Sequence, residues 1–266
     1  MTTHLGLHTH WIDTWEEGRF RLDRVSRSPE VILDRMKEIG LTGIALTDFT
    51  DKRFWKFEDA CPAEGGKVGK YSVVKKLENA IIFSDDSSEL QVYRGYEVEA
   101  KEGHIFCFGL NRDVVLPYGL PLVELLKKGK ALNAVMWPDH PFGAFGIGKQ
   151  RIIDNAKYFS AFEGENCNYS TKWSDIIEVK VNTELPSLAV DDAHNPRDMG
   201  NGYIMAKSRL YIKNEEDVRE LMRDTLKQHF VPVTIKKNSL FSKLRHVATV
   251  QYDCRIRRPL GFLPQP

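Results

Sequence analysis

No run of apolar residues in this chain approaches the length needed to cross a bilayer. The opening MTTHLGLHTH also lacks the basic stretch followed by an apolar one that marks a secretory signal. No membrane partner is expected, and the cytoplasm is the expected compartment. An excess of one charge is missing too: 38 Lys+Arg stand against 37 Asp+Glu, so no global field advertises a polyanion. Cysteine is scarce, with four residues (Cys61, Cys107, Cys167, Cys254) and no CxxC spacing, which argues against a disulfide scaffold or a zinc ribbon. No GxSxG occurs, so a serine esterase has no support. The stretch GAFGIGKQ lacks the Lys-Ser/Thr pair of a nucleotide P-loop, and there is no internal repeat. Apolar residues are not scarce. At 42% of 266 residues, with 28% charged, they suffice for the core of one large domain and exclude wholesale disorder.

The patterning alternates strand and helix. LGLHTH suits a short strand. Ser28-Pro29-Glu30 offers a helix start, Ile32, Met36 and Ile39 continue it, and Gly40 stops it. LTGIALTD then reads as a buried strand. Residues 90–98 and 105–110 read as strands, 120–128 as a helix, and 131–137, 158–162 and 185–190 as apolar runs. Asn214 to Gln228 is the clearest helix, capped by Asn214 and striped by Val218, Leu221, Met222, Thr225 and Leu226. This order predicts an α/β fold with a parallel sheet, barrel or doubly wound. Residues 51–88 break the alternation and read as an insertion or lid over a strand end. Within 231–266, Lys236, Lys237, Lys243, Arg245, Arg255, Arg257 and Arg258 face only Asp253, a basic extension that offers a nucleic-acid contact.

Histidines carry the chemistry. Five of the eight lie at the edges of expected strands: His8 and His10 two apart on one strand face, then His104, His140 and His194. Carboxylates lie between them, with Asp48 ending GIALTD, Glu97 ending QVYRGYE and Asp192 two before His194. In a parallel barrel such strand ends meet on one face. Neutral imidazoles and carboxylates suit zinc, manganese or iron, and a bridging carboxylate such as Glu97 would let two ions share the site. Asn166 offers either an orienting amide or a strand-end turn. Of Glu163 and Glu165, one is expected to face the pocket. Arg197 is the first-choice phosphate clamp, with Lys149 and Arg151 weaker. Cys107 reads as core.

The ordered segments LHTH, ALTD, GYEVE, GHIFCFG, DHPFG, FEGEN and DDAHNPRDMG resemble the PHP domains, named for polymerase and histidinol phosphatase. The resemblance implies a distorted (β/α)7 TIM-like barrel over residues 1–230. It implies one metal among His8, His10, Glu97 and Asp192, and a second held by Glu97, His104 and His140. A third site would draw on Asp13, position 49 and His194. Here position 49 is Phe instead of His, position 6 is Gly instead of Asp, and position 191 is Asp instead of Ser. Two tightly held divalent ions are therefore expected, with a third site weak or empty unless Asp48 or Asp51 compensates. The implied activity is hydrolysis of a phosphoester, a phosphomonoester or a nucleotide or nucleic-acid phosphate, by metal-activated water. His194 and Arg197 would be the catalytic side chains and a small phosphorylated substrate the first expectation. Hydrolysis of a C–N bond, or a binding scaffold that has lost catalysis, are the alternatives. Nothing in the sequence sets the oligomeric state.

Overall fold

The first helix is set by its ends. The Ser28 side chain accepts a hydrogen bond from Glu30 N, Pro29 fills the first turn where a missing N–H costs nothing, and Gly40 (φ 76°) closes the helix in the left-handed region. In this computed structural model, residues 2–10, 28–49, 57–114, 116–193, 197–206, 212–228 and 230–237 are described. Helix α1, Pro29–Ile39, buries Ile32, Leu33 and Met36. Strands β1 (Thr3–Thr9) and β2 (Gly43–Phe49) flank it in sequence. Three strands follow, β3 (Lys67–Val68), β4 (Tyr71–Lys76) and β5 (Ala80–Ser84). Next come the long β6 (Glu89–Ala100) and β7 (Gly103–Phe108). Then α2 (Leu122–Ala131), β8 (Val135–Pro138), α3 (Lys149–Asp154), β9 (Phe162–Asn166), α4 (Trp173–Thr183) and β10 (Ser187–Val190) alternate. The described residues end with β11 (Gly202–Ala206), α5 (Glu215–Lys227) and β12 (Val231–Thr234). Asn214 caps α5 in a reciprocal capping box with Asp217.

The large sheet runs β12-β11-β1-β2-β6-β5-β4-β3, with β7 and β8 continuing from β6. Only β1–β2 and β2–β6 are parallel pairs in it. Strands β9 and β10 form a separate parallel pair. This α/β sheet is mixed, which corrects the expected parallel sheet, and among the described residues its ladders do not close, so the distorted (β/α)7 barrel is not shown. The physical reason is local. Gly103 (φ 141°) lets β6 fold straight back into β7 as a hairpin, and within the stretch read as an insertion β5 pairs antiparallel onto β6, with β4 and β3 added beyond it. The β9–β10 pair meets the large sheet through single links: the parallel bridge Thr9–Ala193 on one side and Ser160 N to Met136 O, 2.9 Å, on the other.

The insertion read at 51–88 is thus largely sheet where described, and β12 ties the start of the basic extension to β11. The apolar run at 158–162 becomes strand only at Phe162, after a short 3-10 turn at Ala156–Tyr158. One core lies between the strands and α5, where Leu5, Leu7, Tyr93, Phe106, Phe108 and Trp137 meet Val218, Met222 and Leu226. A second core lies beneath α1 and a third beneath α2 and α4. No helix among the described residues is long and apolar enough to cross a membrane.

Candidate metal centre

Strand alternation delivers most of the site to one face. His8 on β1 and His10 just past its end are two apart, and both are buried. Glu97 opposes Phe106 across the β6–β7 hairpin, so His104, two residues before Phe106, is its diagonal neighbour on the same face. Phe106 in turn stacks on Trp137 of β8, with ring centroids 4.1 Å apart and planes 7° from parallel. Asp139 shares the parity of Trp137. His140 would alternate away, but its backbone takes φ 26°, which re-aims the side chain toward Glu97. Asp192, just beyond β10, is held at φ 47°. Of the four described non-glycine residues with left-handed backbone, Asn133, His140, Glu184 and Asp192, two belong to the cluster.

Glu97 divides the cluster. Its Oε2 lies 3.5 Å from His10 Nε2 and 4.0 Å from His8 Nε2. Those two nitrogens are 3.0 Å apart, and each is 3.5 Å from Asp192 Oδ1. Four ligand atoms around a zinc-sized ion stand about 3.4 Å from one another along the edges of the tetrahedron. The observed separations bracket that value. On the other side, Glu97 Oε1 contacts His104 Nδ1 closely and lies 3.2 Å from His140 Nε2. One carboxylate therefore faces two pairs of imidazoles, one with each oxygen.

The layer behind His8 fixes its tautomer. His8 Nδ1 donates to Glu163 Oε1 at 3.0 Å, leaving the Nε2 lone pair for the interior. Glu163 is itself saturated. Trp137 Nε1 donates to Oε1 at 3.3 Å, while His140 N at 2.9 Å and Asn166 Nδ2 at 3.2 Å donate to Oε2. Asn166 also donates to Asp192 Oδ2 at 3.2 Å and accepts from Asn168 N at 2.8 Å, so both roles open to it in sequence are present. Glu165 accepts from Thr234 Oγ1, so Glu163 is the inward residue of the pair.

The electrostatics call for cations. Burial opposes a charge on His8, yet the carboxylates of Asp139, Glu163 and Asp192 outweigh it and hold its pKa well above the ordinary imidazole value. Burial likewise opposes a charge on His140, and Asp139 and Glu97 push it up to about 10. Burial raises Glu97, but the imidazoles of His104 and His140 pull it well below the usual carboxylate range. Asp139 goes the other way, driven well up by burial and by the charge of Glu163. Among the described residues, the ion-pair partners of Glu97, Asp139 and Glu163 are imidazoles alone. Buried carboxylates in such number need positive charge, which divalent ions among the imidazoles could supply. The donor set fits zinc, manganese or iron.

Of the residues singled out in sequence, the structure brings together His8, His10, Glu97, His104, His140 and Asp192. Asp13 and His194 lie outside the described residues, as do the side chains of Asp48 and Phe49. Arg197 is exposed, and its carbonyl accepts from Arg35 Nη2 at 3.5 Å. Lys149 is paired with Asp175 and Glu178, at 3.2 Å and 2.6 Å, away from the phosphate role considered for it. Cys107 is buried in the core beneath α2. Two neighbours escaped sequence reasoning. Asp139 stands in the quoted DHPFG, where only its histidine drew attention. Tyr169, whose ring centre is 4.9 Å from that of His140, had no signal beyond its place after FEGEN.

No protein-family model matches the chain, and no curated protein matches it. Among solved structures, PsfC from Pseudomonas syringae PB-5123 is similar with a TM-score of 0.62 and 12% identity, over 97% of this chain and 99% of that one. The lesion-specific endonuclease PfuEndoQ from Pyrococcus furiosus is similar with a TM-score of 0.56 and 15% identity, over 87% of this chain and 58% of that endonuclease. Identities this low show a shared fold.

Proposed function

We propose that this chain is a metal-dependent phosphoesterase of PHP type, with two divalent ions held on either side of Glu97. The observation that carries the reading is the two-sided carboxylate, with the His8–His10 pair at one oxygen and the His104–His140 pair at the other. A pair of ions about 3.5–4 Å apart is a common device for displacement at phosphorus. The fold shared with a lesion-specific endonuclease supports this chemistry, as does the strand order β1-β2-β6-β7-β8 flanked by β9–β10, which suits a gapped barrel.

When bound, the ions would activate water and neutralise the phosphoryl oxygens. The chain's own residues do the rest. His8, His10 and Asp192 would hold one ion and His104 with His140 the other. Glu163 keeps His8 in the tautomer that presents Nε2. Arg197 is the proposed cation for the phosphoryl group and His194 the proposed proton donor to the departing alkoxide. A third ion at Asp13 and His194 is expected to be weak, because Phe49 replaces an imidazole. The reading is tested by assaying an aryl phosphomonoester, a phosphodiester and an amide with the wild type and His140→Ala. Phosphoester cleavage lost in the variant supports it. Amide cleavage alone, or full activity in the variant, overturns it.

A nucleic-acid substrate is favoured over a small one by one further contact. Lys237, where the described chain stops, donates to the carbonyls of Asn166 (2.8 Å) and Tyr169 (3.3 Å) beside the centre, so the basic stretch that follows starts there. Steep loss of binding to a single-stranded oligonucleotide with added salt is expected.

A further inference from the structure

We propose that Asp139 is a fourth ligand to the ion on the Oε1 side of Glu97. The assignment rests on the two-ion reading and adds to it a residue outside the ligand set that the resemblance implies. Asp139 is fully buried, and neither carboxylate oxygen receives a hydrogen bond. Its Oδ1 lies 2.9 Å from His8 Nδ1, but the single proton on that nitrogen is aligned on Glu163. A buried carboxylate with no donor is costly, and a cation at its oxygens would satisfy it.

The cation is nearby. One atom each from Glu97, His104, Asp139 and His140 can be chosen so that all four lie within 4.8 Å of one another, and Asp139 Oδ2 is 3.8 Å from His140 Nε2. The Asp139–His140 separation stands close to the edge of a zinc tetrahedron, about 3.4 Å. Asp139 aims inward because it follows Trp137 by two positions, and the left-handed turn at His140 brings the adjacent imidazole to the same point. Glu163, another buried acid here, is excluded as a ligand because donors already fill both of its oxygens. With Asp139 the second ion has two nitrogens and two oxygens, matching the first.

The test is metal binding, read without turnover. Metal-free wild type and Asp139→Asn are titrated with Co(II) and Zn(II) against a chromophoric chelator, and the visible Co(II) spectrum is followed. Two ions are expected in the wild type. In Asp139→Asn one ion is expected to keep its affinity while the other weakens about a hundredfold or more, with a changed Co(II) band for that ion alone. Asp139→Glu should restore the band toward the wild type. Weakening of the Oε2-side ion alone would mean that Asp139 acts through His8, equal weakening of both would mean that it acts through the shared fold, and unchanged binding would mean that it is no ligand; each overturns the assignment and leaves the two-ion reading standing. A wild type that binds no metal overturns both. Asp139→Ser serves the same comparison if the amide variant does not fold.

Discussion

The two sides of Glu97 are built differently. Around Oε2, His8 is sealed from solvent, its tautomer is set by Glu163, and Glu163 is held by donors from Trp137, His140 and Asn166. Around Oε1, the His104 side chain is 13% exposed. Its ring and that of His140 are steadied by aromatic faces, Phe145 stacked on His104 at 5.6 Å and Tyr169 against His140 at 4.9 Å. Hydrogen bonds fix a ligand's direction and protonation, whereas ring contacts fix only its plane. The buttressed side is suited to a permanently held ion, and the open side to the ion that meets substrate.

Breaking the shared element removes the contrast altogether. Glu97→Ala is expected to lose both ions and to drop phosphoester hydrolysis to background, as metal analysis and an aryl phosphate assay would report. Glu163→Gln should act mainly on one side. It replaces the charged acceptor of His8 by a neutral amide and is expected to weaken the Oε2-side ion ten- to hundredfold, with a smaller effect on the other through His140 N, measured by chelator competition.

Acidity separates loaded from metal-free protein. His8 and His140 have raised pKa values in the metal-free fold, His140 to about 10 against an ordinary 6.5. Protonation of His140 therefore stabilises the metal-free fold fully below pH 6.5 and is lost as pH rises through about 10, and the contribution of His8 is likewise lost as pH rises. Loaded protein should respond in the opposite sense, since protons compete with metal for the imidazoles as pH falls. Melting temperatures measured with and without chelator should slope oppositely with pH.

The smallest effect concerns the floor common to both sides. A Cβ on Gly95 would stand 2.5 Å from Phe106 Cζ, so Gly95→Ala should displace the Phe106–Trp137 stack and cost about 1–3 kcal/mol in denaturant unfolding. Its effect on the two ions should be equal, in contrast to Glu163→Gln.

Much of the centre was legible because its signals are short-range. The i, i+2 spacing of His8 and His10 needs only a strand, and the Ser28 and Asn214 caps need only their neighbours. What was hidden depends on distant pairing. The turn after Ala100 folds β6 back on β7, but nothing local says that the next strand is antiparallel. The two-residue β3 exists only by pairing with β4. Helix α4 shows no clean stripe, because Trp173, Ile177 and Val181 are exposed while Ile176 and Val179 are buried. Asp139 was overlooked because its inward aim follows from Trp137, and Trp137 is placed by its stacking on Phe106 from another strand.

The central claim is that one carboxylate serves two ions, and anomalous diffraction at the zinc, manganese and iron edges tests it most directly. Crystals of protein purified without chelator should show two peaks about 3.5–4 Å apart, one beside each oxygen of Glu97. A single peak, or peaks that Glu97 does not touch, would contradict the account.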